Sequence, residues 1–338
     1  MSHNTTDQRP DKTPRPNEKT GSPAAPVSPW GLFSAAMMLV GVGTVAGFFG
    51  RFWWPLGLAS ELRLVWLEAG VAAVVVYGLG RRKMQCGLAV LVVLANGAVI
   101  GPCCFDPRDA DLGGPGLRLM VANVHTQNRA FDRLLALVRS EQPDLVVLEE
   151  VNQDWIHALA PLRQEYRYHV EQPRDDNFGI ALYSRRPLKR REIVYLGDAE
   201  VPSVVATVEL GGQPIQVLAT HPLPPIGDMY WRLRNRQLRR AAEFARGLPG
   251  AVVVLGDLNT TPWSYYFRRF LADSDLRDSR RGFGLQISWP SWCPWLGIPI
   301  DHCLVSESIA VRQRHVGQDI GSDHYPIVVD IVADMASP

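Results

Sequence analysis

Charge is missing from the sequence where it would matter most to a soluble protein: from Trp30 to Gly50 there is no Asp, Glu, Lys or Arg. A solvated surface helix cannot be built from such a run. Cysteine spacing of the zinc-binding kind is also lacking. Cys103 and Cys104 are adjacent, Cys86 lies in an apolar stretch, and Cys293 and Cys303 stand apart. The last two leave a disulfide or two buried free thiols open, the thiols being the plainer reading. An excess of positive charge is absent too. The formal net charge of +1 averages over unlike regions and gives no support to a general polyanion-binding surface. Residues 1–29, rich in Pro, Thr, Asn, Ser and charge, contain no apolar run able to offset the entropy of ordering them, and are expected to be a disordered tail.

Residues 30–105 hold what the tail lacks. Trp30 to Gly50 is long enough to cross a hydrocarbon core of about 30 Å as a helix. Leu62 to Gly80, with Arg63 and Glu68 inside it, and Met84 to Phe105 are two further candidate spans. A signal peptide fits poorly, because a long polar tail precedes the first run and more apolar runs follow it. Three transmembrane helices are therefore expected. Arg9, Lys12, Arg15 and Lys19 in the tail and Arg81, Arg82 and Lys83 between the later spans belong on the cytoplasmic side. With an odd number of spans, everything after Phe105 is then extracytoplasmic, in a multi-pass protein of the cell membrane. The Gly- and Pro-containing stretch 106–116 reads as a linker that keeps residues 117–338 close to the bilayer.

From Leu117 the pattern changes to short β-rich runs alternating with helical ones. Strands are expected at Leu117–Val124, Asp144–Leu148, Gly179–Ser184, Ser203–Leu210, Pro214–Thr220, Ala251–Leu255, Ile300–Val305 and Tyr325–Val332. Helices are expected at Arg129–Glu141 and Met229–Arg246. Gly211-Gly212 suggests a hairpin, so the fold class is α/β with mixed sheets. Polar residues gather at the strand ends: Asn123, Glu149-Glu150, His221, Asp257 and Asn259, Asp301-His302, and Asp323-His324. Any one of these has a structural explanation as a cap, a turn or a surface pair. Together they supply carboxylates, amides and imidazoles in the combination that metal-assisted phosphate chemistry requires.

The segments Asn123-Val124, Leu148-Glu149-Glu150-Val151, Thr220-His221, Gly256-Asp257-Leu258-Asn259, Ile300-Asp301-His302 and Gly321-Ser322-Asp323-His324 resemble, in order, the motifs of the endonuclease/exonuclease/phosphatase superfamily. The resemblance covers about two thirds of the chain. It implies a four-layer sandwich of two mixed β-sheets with outer helices, here preceded by the transmembrane helices. The combination looks like a membrane-bound bacterial branch, some of whose members are linked to glycopeptide-antibiotic resistance.

The resemblance also implies roles. Glu150, with Asn123 beside it, would hold Mg²⁺, with Mn²⁺ as the alternative. Glu149 stands where many relatives have Gln, and strand alternation should turn Glu149 and Glu150 to opposite faces. His324 would be the general base and Asp301 its orienting carboxylate. Asp257 and Asn259 would orient the nucleophile and bind a phosphoryl oxygen, and His221 would assist the leaving group. Asp323 is a second metal ligand or a partner of His221. Asn177 is placed near the phosphate or, equally, in an Asx turn. Trp289, Trp292 and Trp295 read first as a packed aromatic cluster and second as an interfacial or substrate-facing lip. The arginines from Arg232 to Arg240 form a solvated face or attract anionic headgroups.

The expected activity is hydrolysis of a phosphate ester or pyrophosphate in a lipid-linked or other envelope substrate, with the bilayer as a partner. An anchored extracellular nuclease acting on nucleic acid is the second reading. A noncatalytic binding or resistance protein on the same scaffold is the third.

Overall fold

The computed structural model describes residues 28–104 and 113–333, together with residues 1 and 3. The tail and most of the linker lie outside the described residues. Among the described residues four α-helices precede the sheets, a bent pair standing near the second of the three expected spans: α1 (Pro29–Ala46), α2 (Trp54–Glu61), α3 (Arg63–Leu79) and α4 (Lys83–Ile100). Ser28 caps the first, its Oγ accepting from the Gly31 N–H at 3.0 Å. Two stretches, Pro29–Phe49 and Lys83–Cys103, are long and apolar enough to cross a membrane. The middle stretch is bent. α2 and α3 meet at a 59° bend and reach that standard only when taken together.

The packing of these helices inverts that of a soluble bundle. Met38, Leu39, Val42, Leu88, Leu91 and Leu94 face outward. The polar contacts lie between helices: Asn96 donates to Thr44 Oγ1 at 3.0 Å and accepts from Arg63 at 3.3 Å, and Tyr77 donates to Ser34 at 3.0 Å. Between apolar helix faces such groups pair with one another, and Asn96 also with Val92 O of its own helix at 2.9 Å.

The remaining elements are β1 (Gly116–Asn123), α5 (Phe131–Glu141), β2 (Leu145–Glu149), α6 (Gln153–Ala158), β3 (Tyr168–Gln172), β4 (Ile180–Ser184), β5 (Arg190–Tyr195), β6 (Pro202–Leu210), β7 (Gln213–Thr220), α7 (Gly227–Arg246), β8 (Ala251–Asp257), α8 (Tyr265–Ser274), β9 (Leu276–Asp278), β10 (Asp301–Ser306), β11 (Ile309–Val316) and β12 (Ile327–Ala333). They build two six-stranded sheets, β11-β12-β1-β2-β4-β3 and β5-β6-β7-β8-β10-β9. Both sheets are mixed. β1 runs parallel to β2 and β7 parallel to β8, whereas the other pairs are antiparallel.

Alternation along the central strands explains the layers. Leu119, Val121 and Val147 of the first sheet meet Val204, Val217, Val253 and Val305 of the second in one core. Met120, Val146 and Leu148 point the other way, onto α5 and α6. Val205, Leu218, Val254 and Leu304 do the same beneath α7 and α8. The expected hairpin joins β6 to β7 through Gly211 and Gly212, at φ 58° and 82°. Two successive positive φ angles favour glycine there. Finally, Leu64 and Ile100 of the helical region share a cluster with Trp263, Ile298 and Ile300 of the sandwich, so the two regions are packed together.

Candidate active site

Strand direction brings the polar residues to one edge. The parallel strands end there, at Asn123 of β1, Glu149 of β2, Thr220 of β7 and Asp257 of β8. The antiparallel partners begin there, so Asp301 of β10 pairs in register with Asp257. A hydrogen bond closes the gap between the sheets: the Asp257 N–H donates to Glu149 Oε2 at 2.8 Å. Gly256, at φ 152°, makes this approach feasible, because a Cβ would lie 2.1 Å from Thr220 O and 2.5 Å from Glu149 Oε1.

Two imidazoles flank one carboxylate. His221 Nε2 lies 3.6 Å from Asp257 Oδ2 and His324 Nε2 lies 3.7 Å from the same oxygen. The other ring nitrogen of His324, Nδ1, is 3.0 Å from Asp301 Oδ2, which fixes the ring and leaves Nε2 facing the site. Asn259 Nδ2 lies 3.3 Å from His221 Nε2 and donates to Pro222 O at 2.9 Å. Burial alone would lower His324, but Asp301 and Asp257 outweigh it and push the imidazole up to about 10. Burial likewise opposes His221, and Asp257 and Glu149 overcome it, pushing it up to about 9. Asp257 would rise by burial but is held below its ordinary range by the two histidines.

Asn123 and Glu150 form a second group. Asn123 Nδ2 donates to Glu150 Oε1 at 2.9 Å, and the Thr126 N–H reaches Glu150 Oε2 at 3.3 Å. Strand alternation does not separate Glu149 from Glu150, because β2 ends at Glu149 and Glu150 turns left-handed at φ 60°. Glu149 is fully buried within the site, and burial with nearby Asp257 pushes its carboxyl up to about 8 despite His221. Asp323 receives Trp289 Nε1 at 3.1 Å and lies 3.9 Å from His125 Nδ1, so its contacts are not to His221. Asn177 is exposed and left-handed at φ 67°, and its neighbour Phe178 lies against the His221 ring with centroids 5.6 Å apart.

The donor set suits a hard divalent cation. Asn123, Glu150 and Asp323 offer amide and carboxylate oxygens, and the carboxylate oxygens Glu149 Oε1 and Asp301 Oδ1 are buried without a hydrogen-bond partner. Asp257, Asp301 and His324 also lie close enough to share an ion, their donor atoms being within 4.8 Å of one another. The His324–Asp301 bond already occupies that group, which fits an oriented base better than a ligand shell.

His125 and Phe178 border the site without a role read from sequence, and Trp289, the first of the three tryptophans read as a packed cluster or a lip, borders it too. The signals were weak: an isolated His after Asn123-Val124, one Trp among three, and a Phe beside the Asn177 turn. The three tryptophans do not form one packed cluster. Trp289 packs under the site with Ile298 and Ile300, whereas Trp292 and Trp295 are 74% and 70% exposed. Cys293 and Cys303 are free and buried.

The sequence pattern of the Endonuclease/Exonuclease/phosphatase family matches residues 120–324, more than half of the chain. Among solved structures, an endonuclease/exonuclease/phosphatase from Beutenbergia cavernae DSM 12333 is 22% identical, with a TM-score of 0.52 over 65% of this chain and 72% of the other. One from Bacteroides vulgatus is 16% identical, with a TM-score of 0.55 over 65% of this chain and 100% of its own. D. rerio TDP2 complexed with single strand DNA product is 17% identical, with a TM-score of 0.53 over 64% and 98%. At these identities the likeness is one of fold. A search of curated protein sequences finds no match. The two mixed sheets, the outer helices and the match from residue 120 to residue 324 agree: the chain belongs to the endonuclease/exonuclease/phosphatase family.

Proposed function

We propose that the chain is a membrane-anchored, divalent-metal-dependent phosphoesterase that hydrolyses a phosphate ester or pyrophosphate of a lipid-linked or other envelope substrate. Members of the family are hydrolases of phosphate esters that depend on a divalent metal. The observation that carries the lipid reading is the seat of the site. Ile300, next to Asp301, packs in one cluster with Leu64 and Ile100 of the apolar helices. A site held there meets lipid headgroups at high effective concentration.

Water attacks phosphorus directly in this reading, giving inversion without a covalent enzyme intermediate. His324 Nε2 takes the water proton while Asp301 holds Nδ1. His221, held protonated beside Asp257, gives a proton to the leaving oxygen. Asn259 offers its amide to a phosphoryl oxygen beside His221. A base must be neutral, and a divalent cation held by Asn123, Glu150 and Asp323 would offset the negative charge that keeps His324 protonated and polarise the phosphate.

A nuclease would share this chemistry. TDP2 from D. rerio was crystallised with a single strand DNA product. The arginines of α7 give that reading little support, because Arg232 pairs with Asp228, Arg236 and Arg240 with Asp198, and Arg239 with Glu243. The test is an assay of detergent-purified protein with Mg²⁺ against lipid phosphates, lipid pyrophosphates, sphingomyelin, and single- and double-stranded DNA. Release from a lipid substrate is expected. Cleavage of DNA alone would favour the nuclease, and no turnover of any substrate would favour a noncatalytic scaffold.

A further inference from the structure

Glu61, the last residue of α2, lies well before residue 120, where the family match begins, yet it is buried against the turn that follows β8. Its Oε1 accepts from Thr260 Oγ1 at 3.1 Å and from Arg234 Nη1 at 3.3 Å. Its Oε2 accepts from the Thr261 N–H and Thr261 Oγ1, both at 2.7 Å. Trp263 Nε1 reaches the Glu61 backbone oxygen at 3.3 Å. Arg234 is only 1% exposed, and its Nη1 also donates to Asn259 O at 2.6 Å. His302 Nε2 completes the set at Thr260 O, 2.8 Å away.

Every residue from Asn259 to Thr261 is thus held from behind, and the turn has a reason to need it. Asn259 is left-handed at φ 50°, a conformation that persists in a residue other than glycine when its surroundings over-determine it. From this backbone Asn259 extends its side chain to His221 and Pro222. Anchoring the helices to the sandwich would not require a charged residue, since Leu64, Ile100, Trp263, Ile298 and Ile300 already form an apolar contact. A buried ion pair often adds little stability over apolar packing, and in some proteins its use is to fix one geometry.

We propose that Glu61, with Arg234, is a positioning residue of the active site: it holds the Asn259–Thr261 turn so that the Asn259 amide stands beside His221. The catalytic site of this chain is then completed by its N-terminal helical region. The part of the claim that concerns turnover rests on the hydrolase reading; the part that concerns the turn does not.

The experiment uses the full chain in detergent, with bis(p-nitrophenyl) phosphate and Mg²⁺ for turnover and hydrogen exchange for the turn. Glu61→Ala should lower kcat by up to about 10²-fold, the scale of a misplacement near 1 Å. In an Asn259→Ala background it should add less than about twofold, because both changes act through one group. A full, multiplicative loss in that background would overturn the proposal. The Thr260 and Thr261 amides should exchange at least about tenfold faster in Glu61→Gln, with β8 unchanged. Leu64→Ala, which loosens the same interface at Trp263, should leave those two amides as they are. Equal protection in Glu61→Gln and wild type, or equal loosening by Leu64→Ala, would overturn the clamp. If wild type does not hydrolyse the probe, the exchange result decides alone, and inactivity counts against the hydrolase reading. If Glu61→Ala does not fold, Glu61→Gln/Arg234→Met, which leaves no unpaired buried charge, replaces it in both measurements.

Discussion

Glu149 and Glu150 are adjacent acids with different work to do. Glu149 is fully buried and takes the Asp257 N–H, and burial pushes its carboxyl up to about 8, so the site does not depend on its charge and Gln would keep its shape. Glu150 is partly accessible and shares its oxygens with Asn123 and Thr126. Glu149→Gln should therefore be mild, whereas Glu150→Gln should raise sharply the Mg²⁺ concentration needed for half-maximal rate. A metal titration of the two variants checks this, and the reverse ranking would contradict the assignment. The histidines differ in the same way. His324→Ala should lower turnover of every substrate by about 10²–10⁴-fold, as expected for a lost acid or base. His221→Ala should be severe for an alkyl phosphate and milder for a nitrophenyl phosphate, whose leaving oxygen needs no proton. Asp301→Asn should resemble a weaker His324 defect. Turnover of both substrates at saturating Mg²⁺ is the measurement, and equal losses in His221→Ala would remove its leaving-group role.

Among the elements, β10 carries a second titrating group besides the site. His302 is fully buried against the Phe267 ring and packed near Asp278, Arg280 and Arg314. Burial lowers it from 6.5 to about 4, with Asp278 opposing and Arg280 and Arg314 assisting. Between those pH values the unfolded chain binds a proton that the folded chain does not. This contribution to stability is therefore complete above about pH 6.5 and is lost progressively as the pH falls toward 4. His302→Gln should flatten the dependence of melting temperature on pH across that window, and an unchanged slope would contradict it. The same strands show what was legible from sequence. All eight expected strands exist, because each is buried and therefore apolar. The four that escaped, β3, β5, β9 and β11, are the four sheet edges. β5, Arg190–Tyr195, shows why: an edge strand needs little apolar surface, and its Arg-Arg-Glu start reads as a loop. The site residues at strand ends were legible as motifs. Glu61 was not, because its partners are nearly two hundred residues away and only the packing of α2 brings it to them.

At the scale of the whole molecule, the helical region sets where the chemistry would happen. Its apolar residues face outward, and its far end meets the sandwich through Leu64 and Ile100. Arg81 and Arg82, between α3 and α4, and Lys83, the first residue of α4, lie at the end remote from that contact. If this end is cytoplasmic, the sandwich is outside. A reporter fused after Pro338 that is active only outside the cytoplasm should then be active, and activity of a cytoplasm-only reporter would reverse the topology. The central claim joins this placement to the metal-dependent site. The measurement that tests it most directly compares a long-chain lipid phosphate with a short-chain, water-soluble analogue carrying the same leaving group, each with Mg²⁺ and with chelator. The account predicts hydrolysis of both only with the metal, and a higher kcat/KM for the long-chain substrate. Hydrolysis that persists in chelator, or failure to hydrolyse either phosphate by a protein that cleaves DNA, would contradict it.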